Sequence, residues 1–86
     1  MTEELKKDLE EGIRKFAFEK LTSKIKSRIE DELRRVLYKH NIQEDNSSII
    51  IVQFGIDLTI VIRIGERRFK CKLSSQPVSF REEDEN

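Results

Sequence analysis

Every even-numbered position from Ile50 to Ile64 is apolar: Ile50, Val52, Phe54, Ile56, Leu58, Ile60, Ile62 and Ile64. Successive side chains of a β-strand point to opposite faces, so an alternation this long places one apolar face against a core. The odd positions are mixed and include Gln53, Asp57, Thr59 and Arg63. A slip of one residue inverts every side chain, so a turn near Gly55 must keep the even positions on one face. A three-residue loop Gly55-Ile56-Asp57 does so, pairing Phe54 with Leu58, Val52 with Ile60 and Ile50 with Ile62. A two-residue loop sets Phe54 opposite Asp57 and fails this test. Beyond Ile64 the apolar parity switches to Phe69, Cys71 and Leu73, which calls for a two-residue loop, Gly65-Glu66. Glycine stands first in it, as a type II′ turn prefers. The expected β part is therefore a three-stranded antiparallel meander over residues 48–73. The alternative is one long strand over 48–64, bent at Gly55, because parity is never broken there.

A different period governs residues 3–40. Leu5, Leu9, Ile13, Ala17, Leu21, Ile25, Ile29, Leu33 and Leu37 recur every fourth residue. Each such step drifts the stripe by about 40° around an α-helix. Leu5, Leu9, Ile13 and Phe16 thus share one face, while Phe18, Ile25, Ile29, Leu33 and Val36 gather roughly opposite. One straight helix cannot bury both groups against the same sheet. Unbroken, it would span about 57 Å beside strands of about 23 Å, and its overhang would need a second chain. The expectation is a break or sharp kink near residues 21–24, where Thr22 and Ser23 are poor interior residues. Thr2 is the expected N-cap, with Glu3 and Glu4 in the first turn. Lys39 and His40 suit the C-terminal end, Asn41 a left-handed cap, and Ile42 a return onto the last turn.

The chain of 86 residues makes one small α+β domain over residues 1–80, with an N-terminal helical segment packed on the meander. A charged fraction of 40% against a hydrophobic fraction of 36% favours a folded, soluble domain over disorder. Residues 49–64 are too short for a membrane helix and are interrupted by Gln53, Gly55, Asp57 and Arg63. The charged N-terminus lacks the apolar core of a signal peptide. A single cysteine excludes a disulfide scaffold, and the expected setting is the cytoplasm. Basic and acidic residues number 17 each, but the distribution is uneven. The β part is basic, and "REEDEN" (81–86) reads as an acidic, disordered tail.

Few residues are candidates for chemistry. Cys71 falls on the core face, where a thiol behaves as a small hydrophobe. His40 reads as a helix cap. One histidine and one cysteine do not make a zinc site. Glu30, Asp31 and Glu32 are consecutive on a helix and point in different directions, so they answer Lys26, Arg34 and Arg35 through helix-spaced pairs. Gly12, Gly55 and Gly65 are isolated, and no phosphate loop is present. No catalytic residue, cofactor, metal or small-molecule substrate is indicated, and an enzyme is not expected.

The second face of the sheet is the candidate for function. The expected register puts Ile49, Ile51 and Val61 there as an apolar interface, beside Arg63, Arg68, Lys70 and Lys72. An exposed β-branched cluster in a small domain indicates association, and the leading expectation is a protein-interaction module that forms a homodimer. The alternative is nucleic-acid binding by the basic residues of this face, extended by the run Lys20, Lys24, Lys26 and Arg28 if the helix kinks there. No aromatic residue lies on that face for base stacking. The plainer reading of its lysines and arginines is an edge-strand guard against aggregation.

Overall fold

Leu5, Leu9 and Ile13 form the buried side of helix α1, Glu3–Arg14, in the computed structural model, which describes residues 3–20, 22–74 and 77–83. Thr2, expected as its cap, lies outside the described residues. The helix ends earlier than Thr22 and Ser23 alone imply. Turns carry the chain onward, with the Phe16 N–H donating to the Ile13 carbonyl at 2.9 Å and the Glu19 N–H to Phe16 at 3.2 Å. Helix α2, Ser23–Lys39, starts on Thr22, whose hydroxyl accepts from the Ile25 N–H at 3.2 Å. The broken helix is the arrangement adopted, and the drifting stripe is its cause: two shorter helices can each turn their own stripe inward. Helix α2 buries Ile25, Ile29, Leu33, Val36 and Leu37. Phe18, expected to join that face, falls in the connecting turns and is 88% exposed.

The end of α2 follows its sequence closely. Asn41 is left-handed (φ 63°), the Asn41 N–H donates to Tyr38 at 2.9 Å, and the Ile42 N–H returns to Leu37 at 2.9 Å. This is a Schellman cap. Between the helices, a Cβ on Gly12 would lie 3.2 Å from Glu32 Cγ, so glycine at this point lets α1 and α2 approach closely.

Among the described residues the sheet has four strands, not the three expected. Strands β1 (Ser47–Phe54), β2 (Asp57–Ile64), β3 (Arg67–Lys72) and β4 (Arg81–Glu83) are antiparallel in the order β1-β2-β3-β4. The start of the expected tail is thus β4, while residues 84–86 lie outside the described residues. Val78 and Phe80, both buried, lead into β4 against α1, where the Phe80 N–H donates to Glu10 Oε2 at 2.7 Å. One core joins Leu9, Ile13, Ile29, Leu33 and Leu37 of the helices to Leu58, Ile60, Ile62, Phe69 and Cys71 of the sheet.

The β2–β3 turn is the expected one: Ile62 faces Phe69 and Ile60 faces Cys71, and the Leu73 N–H donates to Leu58 at 2.9 Å. The β1–β2 turn corrects the expectation. Phe54 pairs with Asp57 across the two-residue loop Gly55-Ile56. Gly55 has φ 60° and Ile56 is not left-handed, the type II′ pattern. The loop position of the glycine explains the choice. A type II′ turn needs glycine first, whereas the three-residue loop needs its left-handed residue last, where Asp57 would stand. Alternation could not decide, because residues 49–52 are all β-branched and apolar and either face of β1 can be buried. Ser47 reinforces the observed parity: it is buried, accepts from Arg34 at 2.7 Å and donates to the Gln43 carbonyl at 2.9 Å.

Candidate interaction surface

The two-residue turn decides what each β1 side chain touches. Ile49 and Ile51, expected at an interface, instead face the helices and pack half-buried against the core, opposite Ile62 and Ile60. Ile50, Val52 and Phe54, expected in the core, take the other face. Ile50 is 53% exposed, Phe54 71%, and Ile56 at the turn 89%. Val61 is on this outer face as expected, beside Ile50. Alternation alone does not mark these residues as exposed, because it does not determine the length of the turn that sets their face. The glycine's place in the loop was the usable signal.

Both helices lie on the other side of the sheet, so among the described residues no helix covers the outer face. Reading across it, Ile50 neighbours Val61, then Lys70, then Arg81. The next row runs Ser48, Arg63, Arg68 and Glu83, and a shorter one Val52, Thr59 and Lys72. The face is therefore apolar along β1 and charged along β3 and β4. Arg63, Arg68, Lys70 and Lys72 are brought together as expected, with Arg81 added. Lys24, Lys26 and Arg28 are not: they belong to α2, across the sheet from this face, and the Arg28 guanidinium sits 5.4 Å from the Phe16 ring centre. Lys20 precedes α2 in the connecting segment. Nor is β3 an edge strand, so its lysines and arginines are not edge guards.

The two edges of the sheet differ in kind. At one edge β4 is only three residues long, and every one is charged. Arg67 holds Glu82 through two hydrogen bonds, at 2.8 and 2.7 Å, and stacks 5.1 Å from the Phe69 ring centre. Hydrogen bonding to Arg67 keeps the Glu82 carboxyl below its usual range. Lys70 lies 3.5 Å from Glu83. The other edge, β1, is eight residues long and bears no charged side chain. Its unpaired backbone groups can be assigned. The Gly65 N–H donates to Asn46, so even-numbered residues of β1 bond to β2. The N–H and C=O groups of Ile49, Ile51 and Gln53 consequently point away from the sheet, and no hydrogen bond reaches them from the described residues.

Other candidate groups are occupied structurally. The Nε2–H of His40 donates to Asp8 Oδ2 at 2.8 Å, tying the end of α2 to α1. This hydrogen bond, with Lys39 nearby, holds the Asp8 carboxyl below its usual value. Cys71 is buried, and desolvation pushes its thiol up to about 11. Glu32 of the acidic trio pairs with Arg35 and, at 3.9 Å, with Lys15. Among the described residues no metal-ligating cluster forms, and no helix is long and apolar enough to cross a membrane. Compared with models of protein families, with curated proteins and with solved structures, the chain matches none.

Proposed function

We propose that this chain is a non-enzymatic interaction module that self-associates as a homodimer through the β1 side of its sheet. The observation that carries this reading is the exposure of Ile50 and Phe54, with half-buried Val52 and Val61 beside them, on a face that no helix among the described residues covers, and of Ile56 at the adjoining turn. Burying apolar surface contributes about 25 cal/mol per Å², and small domains frequently gain their stability margin by association. A concentration series in sedimentation velocity tests it. A species of twice the chain mass at tens of micromolar is expected, and a monomer throughout contradicts it.

A second reading rests on a different observation. Arg63, Arg68, Lys70 and Lys72 share the outer face on β2 and β3, which are interior strands, so edge protection does not account for them; Arg81 of the edge strand β4 lies beside Lys70. A row of this kind suits a phosphate backbone. Glu83 beside Lys70 weakens the field there. Binding to duplex or single strands that falls steeply with salt, and is abolished in Arg68→Glu/Lys70→Glu, supports it; no binding at low salt rules it out.

A further inference from the structure

From the contrast between the two edges of the sheet we infer that the dimer forms by strand addition: β1 of one copy pairs antiparallel with β1 of a second copy about a two-fold axis, making one continuous sheet. This inference rests on the self-association reading and specifies its contact as the β1 edge, which sets the outer-face side chains of the two copies side by side rather than covering the face. An unpaired strand edge is a template for another strand. Proteins ordinarily blunt such edges with charge, proline, bulges or brevity. The β4 edge has charge and brevity; the β1 edge, Ser47–Phe54, has none of these devices.

Three features select a second copy of this chain as the occupant. First, β1 is uncharged, so two copies meet without like charges opposed. Second, with the Ser47 N–H taken by the Glu44 carbonyl, the outward residues of β1 with both backbone groups open among the described residues are Ile49, Ile51 and Gln53, symmetric about Ile51. Pairing Ile51 with its own mate, and Ile49 with Gln53 of the second copy, joins all three by narrow antiparallel pairs. The same register sets Ile50 against Val52 and Phe54 against Ser48 on the outer face, so each apolar side chain there gains a cross-strand neighbour. Third, each copy offers one open edge and one guarded edge. An isologous contact at β1 uses up the open edges and leaves only β4 at the ends, so assembly closes at two rather than growing into a fibre.

Gln53→Pro tests the mode of contact. Gln53 is exposed and its N–H points away from β2, so proline there removes an edge donor without breaking the β1–β2 ladder. The expected result is a dimer dissociation constant raised at least tenfold, with far-ultraviolet circular dichroism and cooperative melting retained. A variant that dimerises as tightly as the parent overturns strand addition while leaving self-association through the outer face standing. A parent protein that is monomeric overturns both. If Gln53→Pro does not fold, Ile50→Lys/Val52→Lys with amide exchange of the parent decides. Slowed exchange at Ile49, Ile51 and Gln53 that disappears on dilution supports the pairing, and concentration-independent exchange at those amides overturns it.

Discussion

At the scale of single residues, the end of α2 is tied to α1 by the His40 Nε2–H donating to Asp8 Oδ2 at 2.8 Å. Asn41 and Ile42 close α2 because a left-handed residue followed by an apolar one is a recognisable cap. The partner of His40 was not readable, since nothing local links it to Asp8, thirty-two positions away. Asp8 is held below its ordinary value in the folded protein, so the pair stabilises the fold above the normal carboxylate range. That contribution is lost as pH falls through the depressed folded value. Asp8→Asn should therefore lower the urea midpoint near neutrality, and the difference from the parent should shrink as pH falls through about 4 toward about 2. Urea titrations across that range check it; a pH-independent difference contradicts the pairing. Cys71, with its thiol pushed up to about 11, should resist iodoacetamide at pH near 8 in native buffer and react fully in denaturant.

Among the elements, the helices and the β2–β3 hairpin follow from periodicity, because each has one apolar face and one polar face. Strand β1 does not, because its central residues are apolar on both faces, and only the glycine's place in the turn separates the two registers. Strand β4 escaped recognition because just two alternating apolar residues, Val78 and Phe80, precede a charged triplet that reads as a tail. Paired substitutions test the register. Ile60→Ala should cost about 2–5 kcal/mol by opening a cavity in the core, whereas Ile50→Ala, measured on dilute monomer, should stay within about 0.5 kcal/mol. Equal costs at the two positions contradict the observed parity. Arg67 adds two side-chain hydrogen bonds to the short β3–β4 ladder, so Arg67→Ala should speed amide exchange at residues 81–83 while leaving β2 protected.

For the whole molecule, the asymmetry of the sheet is the consequential property: one edge is long, neutral and open, the other short and ion-paired. The position of the basic residues was legible in the sequence, because β2 and β3 keep the expected register. The composition of the apolar strip was not, because it depended on one turn. Strand pairing between neutral edges predicts a dimer whose dissociation constant changes less than about threefold between low and high salt, since screening acts on exposed charges. Nucleic-acid binding at the basic row would lose several orders of magnitude over the same range. The most direct measurement is an isotope-filtered nuclear Overhauser experiment on a dimer mixed from labelled and unlabelled copies. The account predicts cross-protomer contacts between the Hα of Ile50 and the Hα of Val52, where a wide antiparallel pair brings them together. Cross-protomer contacts from β4 instead, or none at concentrations where the protein is dimeric, would contradict it.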